Sequence, residues 1–253
     1  MTVPTKKPAV IGAAPAEAHD QESAAREVRK MFSTIAPRYD LLNHVLSMNV
    51  DRWWWWRTAR RFEHILRRSD ARVLDLCCGT GDMTLALKRR AANSGAKIAG
   101  VDFAHPMLVR AVDKGPDGSP EWIEADALRL PFASGGFDLV TAAFGFRNLS
   151  NYDEGLREIC RVLKPGGEVG ILDFAEPAGL LGKIYRVYFK HVLPKIGTVL
   201  SGVRGPYAYL PASVERFPAP EEMLNRMRCA GFAEVSWSPY TFGIAGLYWG
   251  KKG

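Results

Sequence analysis

The chain of 253 residues has no window that approaches about 18 uninterrupted apolar residues, so no membrane-spanning helix is expected. Cysteine is scarce. Cys77, Cys78, Cys160 and Cys229 form no C-x-x-C pair and have no clustered histidines beside them, which argues against a metal site and against a disulfide framework. They read as buried free thiols, packed as small hydrophobes. No G-x-G-x-x-G fingerprint is present, and no lysine follows a glycine turn as in a P-loop. The pyrophosphate of a dinucleotide therefore has no evident cradle. The net charge is +7, but the positive residues are scattered, with small clusters at Arg57–Arg61 and Arg67–Arg68. No dense arginine run, RNA-recognition signature or helix-turn-helix pattern accompanies them. The excess reads as solvated surface, and nucleic acid is not an expected partner. There is no internal repeat. A secretory leader is not expected either. Lys6 and Lys7 precede the apolar AVIGAA, but that run is short and Pro8 and Pro15 punctuate it. Residues 1–20 read as a disordered tail, and the protein as cytoplasmic.

What is present is an ordinary globular composition, 47% apolar and 24% charged. The length suits one large α/β domain, placed at residues 21–253. Residues 21–68 read as N-terminal helices, interrupted by little except Pro37. After Asp70 the pattern changes. Strand-like runs at 71–79, 97–103, 121–127, 137–144 and 168–176 alternate with helical stretches such as 83–92 and 154–164. Near-continuous apolar strands separated by helices predict a mostly parallel sheet covered on both faces. Lys164-Pro165-Gly166-Gly167 is a clean helix breaker. Residues 177–220 break the rhythm and are a candidate substrate-lid insertion. A helix at 220–230 and strands at 232–240 and 244–252 close the chain, for seven strands in all.

The strongest local signal is Val73-Leu74-Asp75-Leu76-Cys77-Cys78-Gly79-Thr80-Gly81-Asp82. A buried strand runs into a glycine turn and then a helix. Gly79 and Gly81 remove side chains where backbone must approach a ligand, and Asp75 at the strand end suits a cationic one. The second strand ends Asp102-Phe103, where a carboxylate can accept hydrogen bonds from both hydroxyls of a ribose. The third ends Ala125-Asp126-Ala127, where a carboxylate can accept from an adenine amino group. A single such acid could equally be a helix cap, but acids at successive strand ends are harder to explain that way. Asp138 precedes its apolar run and reads as structural.

Further blocks are more restrictive. Met31-Phe32-Ser33-Thr34-Ile35-Ala36-Pro37-Arg38-Tyr39-Asp40-Leu41-Leu42-Asn43, Phe144-Gly145-Phe146-Arg147-Asn148-Leu149 and Tyr207-Ala208-Tyr209-Leu210-Pro211-Ala212-Ser213-Val214 occur with the glycine turn and Leu163-Lys164-Pro165-Gly166-Gly167. From about Val28 to Lys252 the chain resembles class I methyltransferases of the UbiE/MenG (COQ5) family of quinone C-methyltransferases. The resemblance implies a Rossmann-like fold and S-adenosylmethionine as cofactor, with Thr80, Asp102, Asp126 and Ala127 contacting it. Two departures stand out. Ala143 replaces a serine found in some members, and Met48-Asn49 stands where glycine is common. Asn tolerates positive φ next best after glycine, so a tight turn there is still expected.

The resemblance also implies a reaction, attack by a ring carbon of a polyprenyl hydroquinone on the S-methyl group. It points to Arg147 and Asn148 near the substrate. A guanidinium stays protonated and is a poor base. Arg147 is therefore expected to act as the cation that lowers the hydroquinone pKa, with Asn148 donating a hydrogen bond. Tyr39, Asp40 and His44 are base or water-relay candidates, although Asp40 and Asn43 could simply cap a helix. The run Trp53-Trp54-Trp55-Trp56 cannot all face one partner on a helix. Two packed and two partly exposed tryptophans are expected. An alternative is membrane-interface contact, with Arg52, Arg57, Arg60 and Arg61 facing anionic lipid, as a membrane-resident prenylated quinol would require. Rival readings are a methyltransferase acting on another lipid or small aromatic molecule, and a non-catalytic binding module. The intact acidic strand ends and the Phe-Arg-Asn block disfavour the second.

Overall fold

A computed structural model describes residues 11–15, 18–40, 47, 49–115, 120–175, 177 and 206–253. It contains one seven-stranded sheet in the order β3-β2-β1-β4-β5-β7-β6. The strands are β1 (Arg72–Leu76), β2 (Lys97–Asp102), β3 (Glu121–Glu124), β4 (Phe137–Ala143), β5 (Leu163–Phe174), β6 (Phe232–Tyr240) and β7 (Ala245–Lys252). The first five are parallel to one another, and β7 pairs antiparallel with both β5 and β6. Central strands are buried along almost their whole length, as in β4, whereas edge strand β6 alternates in exposure. That contrast is the apolar patterning of the sequence, placed in space.

The α-helices are α1 (Gln21–Ile35), α2 (Val50–Arg61), α3 (Glu63–Leu66), α4 (Asp82–Arg90), α5 (His105–Lys114), α6 (Tyr152–Val162), α7 (Pro206–Arg216) and α8 (Pro220–Cys229). They cover two apolar layers. Leu74, Leu76, Val140 and Ile171 point to the side of α6 and α8, where Leu156, Ile159 and Met227 meet them. Val73, Leu139 and Leu172 point to the other side, against Trp54, Phe62, Met83 and Leu87 of the chain through α2–α4. The two-residue period of each strand divides its side chains between the layers.

Local chemistry fixes several boundaries. Asp20 caps α1 by accepting from the Ser23 amide at 2.8 Å, and the Ser23 hydroxyl oxygen in turn accepts from the Asp20 amide. Asn49 adopts φ +60° just before α2, the turn expected of it. Lys164–Gly167 is looped out of the β4–β5 ladder, whose register jumps from Phe137↔Leu163 to Leu139↔Glu168. Helix α5 carries no strong sequence signal, because only Met107, Leu108 and Ala111 are buried along it, but Pro106 in its first turn is compatible with a helix start.

Part of the expected tail is ordered. Ala13 is buried and its amide donates to the Leu149 carbonyl at 2.8 Å. Gly12 lies so close to the Leu149–Asn151 backbone that any Cβ would collide with it. The candidate lid insertion, 177–220, includes a helix, α7, despite Pro211. The rest of the proposed lid, 178–205, lies outside the described residues, as does His44. Among the described residues no helix is long and apolar enough to cross a membrane.

Candidate functional site

Strand order reverses between β1 and β4, parallel neighbours at the middle of the sheet: β2 and β3 follow outward on one side, β5 on the other. Beyond the carboxyl ends of such a pair the connections diverge and leave a crevice. A partly open cavity lies there. Its floor is the turn after β1 and the turn after β4. Both are built from left-handed residues, Cys77 at φ +51° and Gly79 at +55° on one side, Phe144 at +58° on the other. A bulky residue held at positive φ stores strain, a condition common where backbone shapes a ligand site. The two turns touch. A Cβ on Gly145 would stand 2.3 Å from the Cβ of Cys77.

Asp102, at the end of β2, lines the cavity and is nearly buried. One carboxylate oxygen accepts from the Gly79 amide at 2.8 Å and the other from the Ala104 amide at 2.9 Å. Burial pushes its pKa up to about 6 despite those amides. Each oxygen keeps lone-pair capacity for a ligand hydroxyl. Phe103, Asp126 and Ala127 also line the cavity, and Asp126 accepts from the Leu128 amide at 2.9 Å, which fixes its carboxylate. Asn148 lines the same cavity. Its side-chain oxygen is buried and has no hydrogen-bond partner among the described residues. An orphaned acceptor in a cavity wall is a place for a donor from outside the chain.

The roof comes from the N-terminal segment. Ala25 and Phe32 of α1 and Tyr39 beyond it line the cavity, with the Phe32 and Tyr39 rings edge-to-face at 6.0 Å. Side-chain tethers hold this strap down. Gln21 donates to Glu154 at 2.7 Å, Arg29 pairs with Glu124, and Asp40 pairs with Lys114 at 2.8 Å.

Four expected site residues have a different place. Asp75 lies beneath the cavity, not on its wall. Its oxygens accept from Thr84 and Thr141, both at 2.6 Å, and burial raises its pKa to about 6. Thr80 is turned away and buried, donating to Asp40 and accepting from Lys114 at 2.8 Å. Gly81, at φ +87°, makes room for Trp122, whose ring a Cβ would approach to 2.5 Å. Asp40 neither caps a helix with these contacts nor faces the cavity; it is occupied by Thr80 and Lys114.

Arg147 also differs from expectation. Its guanidinium is absent from the cavity wall and only 6% exposed, and it pairs at 2.8 Å with Asp173, which is fully buried at the end of β5. The Arg147 amide donates to the other Asp173 oxygen at 3.1 Å. The guanidinium also donates to the Phe144 carbonyl and lies 5.2 Å from the centre of the Phe174 ring. Its charge is thus already matched, which leaves little field for a phenolate. Asp173 escaped the sequence reading, although it follows the same rule as Asp102, an acid at the tip of an apolar strand. Among the described residues no cluster of three His, Cys, Asp or Glu is placed to hold a metal.

Residues 19–252 match the model of the ubiE/COQ5 methyltransferase family. The chain belongs to that family. A demethylmenaquinone methyltransferase of Deinococcus radiodurans is 48% identical over 236 residues, 92% of this chain and 95% of that protein. Another, from Thermus thermophilus, is 49% identical over 225 residues, 88% of this chain and 100% of that protein. Among solved structures, the [4+2]-cyclase SpnF superposes with a TM-score of 0.65 at 19% identity, covering 95% of this chain and 98% of its own. That likeness carries the fold alone, and its title names a cyclase: one architecture serves different chemistries.

Proposed function

We propose that this family member transfers the methyl group of S-adenosylmethionine to a ring carbon of a prenylated hydroquinone of the demethylmenaquinol type. Its relatives' names support the reaction. The observation that carries the cofactor assignment is the cavity at the strand-order reversal, walled by Asp102, Asp126 and the orphaned Asn148 oxygen.

The residues fit the group. Asp102 would hold the two ribose hydroxyls, and Asp126 the adenine amino group. Gly79 leaves open the space that a Cβ would fill, with no atom nearer than 3.8 Å. The Asn148 oxygen would accept from the α-ammonium or from a substrate hydroxyl. Bound S-adenosylmethionine supplies a methyl group on a cationic sulfur that is a good leaving group.

Loss of a hydroxyl proton would make a hydroquinone ring carbon a nucleophile. That carbon would take the methyl group as the methyl–sulfur bond breaks. Loss of the ring-carbon proton with return of a proton to the oxygen would restore the aromatic hydroquinone, one proton leaving overall. Of the expected catalytic candidates Tyr39 and Asn148 line the cavity, and in this reading they would hydrogen-bond such a hydroxyl. Phe32, Tyr39 and Phe144 keep water from the transfer path. Arg147 and Asp173 contribute by holding the turn that presents Asn148. The protein's main work is alignment in a dry enclosure. The deciding assay offers purified protein S-adenosylmethionine with demethylmenaquinol or a ubiquinone precursor, and reads products by mass. Methylation of the first on carbon is expected. Transfer only to other aromatics would overturn the substrate, and no binding of S-adenosylmethionine would overturn the cofactor.

A further inference from the structure

Three large apolar side chains stand in solvent along one edge of the molecule. Trp53 and Trp56 of α2 are 44% and 46% exposed, and Phe242, in the turn between β6 and β7, is 84% exposed. The two elements are joined. The Trp54 indole donates to the Thr241 hydroxyl at 2.8 Å, and the Trp53 ring meets Tyr240 edge-on at 6.0 Å. Phe242 sits at φ +57° beside Thr241 at +44°. Left-handed backbone is costly for an aromatic residue, and burial of the ring gives nothing back here. The turn spends strain to hold an apolar ring in water.

The exposed charges of α2 have one sign. Trp53, Trp56, Arg57 and Arg60 recur at i, i+3, i+4 and i+7 and form one stripe of α2, while Trp54 and Thr58 are buried. Arg57 lies over Trp53 and Tyr240, at 5.2 and 4.2 Å from the ring centres, and Arg60 over Trp56 at 5.3 Å. Arg52 and Arg61 flank the stripe. Among the described residues none of these four arginines has a carboxylate partner. The one acid of α2, Asp51, is buried and accepts from the Arg52 amide.

The position is informative. Ala245, just after the turn, pairs with Phe174 at the carboxyl end of β5, the edge on which the cavity opens. Trp54 packs at 5.5 Å against Phe144 of the cavity wall.

We propose that this surface docks the protein on an anionic phospholipid bilayer. Trp53, Trp56 and Phe242 enter the headgroup region, and Arg52, Arg57, Arg60 and Arg61 meet lipid phosphates. Tryptophan favours that depth, and arginines beside aromatic rings add the attraction to negative headgroups. The inference rests on this surface and not on the substrate assigned above.

Vesicle co-sedimentation tests it, using phosphatidylcholine alone and phosphatidylcholine with phosphatidylglycerol. The wild-type chain should bind the mixed vesicles and release as salt rises. Phe242→Gly should bind about tenfold more weakly, yet unfold at the same or a higher temperature, because glycine suits the left-handed turn. Trp53→Ser with Trp56→Ser should nearly abolish binding. Arg57→Gln with Arg60→Gln should remove the preference for phosphatidylglycerol. A wild type that ignores mixed vesicles, or a Phe242→Gly and a double tryptophan variant that bind as well as wild type, would overturn the proposal. So would sedimentation velocity showing a wild-type dimer that these substitutions split, since the surface would then belong to a second copy.

Discussion

Gly145 and Cys77 are pressed together so closely that a methyl group on Gly145 would fall 2.3 Å from the Cys77 Cβ. The turns after β1 and β4 therefore form one floor. Gly145→Ala must push them apart. It should cost about 1–3 kcal/mol of stability, the usual range for overpacking a rigid site, and weaken cofactor binding more than a surface substitution does. Urea unfolding and calorimetric titration with S-adenosylmethionine would check both.

Asp102 serves the fold through the Gly79 and Ala104 amides, and the proposed function gives it the ligand as well. Asp102→Asn retains an acceptor for the Gly79 or Ala104 amide and should fold, but the ligand loses charge-assisted bonds. A loss of about 2–3 kcal/mol in cofactor affinity is expected. In the wild type the same effect should appear with pH. The pKa of this carboxyl is raised to about 6, so affinity should fall as pH drops through 6. Titrations at pH 5 to 8 with a flat profile, or an Asn variant of unchanged affinity, would remove Asp102 from the ribose site.

Asp75 makes a pH prediction for stability. Burial raises its pKa from 3.8 to about 6. Between those values the folded chain binds more protons than the unfolded one, so stability contributed here is full below about 4 and lost as pH rises to 6. Asp75→Asn removes that slope while keeping hydrogen-bonding groups for Thr84 and Thr141. Above pH 6 it should unfold at an equal or higher temperature than wild type, with the advantage shrinking toward pH 4. The opposite trend in calorimetric melts would refute the burial argument.

Arg147 and Asp173 should behave as a pair. Arg147→Met leaves a buried carboxylate without its cation, at a cost of about 3–5 kcal/mol. Adding Asp173→Asn should restore much of it. A double variant no more stable than the single one, in denaturant titrations, would mean that the pair is not the source of the loss.

Much of this was legible. Strands with continuous apolar runs located the sheet, and the acids at the tips of β2 and β3 located the cavity wall, because a parallel sheet places its ligand beyond those ends. Asn49, read as a tolerated substitute for glycine, takes positive φ. What escaped depends on distance in the chain. Lys114 binds Asp40 across 74 positions, and its helix has too short an apolar stripe to announce itself. Asp75 and Thr80 have the right types and spacing for ligand contact, but strand alternation and the tight turn aim them at Thr84 and Lys114. Arg147 reads as a free cation until Asp173, from another strand, is beside it.

The strap over the cavity has a kinetic consequence. Gln21, Arg29 and Asp40 fasten it to Glu154, Glu124 and Lys114, which belong to α6, β3 and α5. Each bond is weak and partly wet, so none alone holds the roof. Together they must part before a molecule beneath Phe32 and Tyr39 can leave. The roof also packs Phe32, Ile35 and Tyr39 against Met107, so release of a molecule held beneath it is expected to be slower than entry into an open crevice, and loosening the tethers together should speed it.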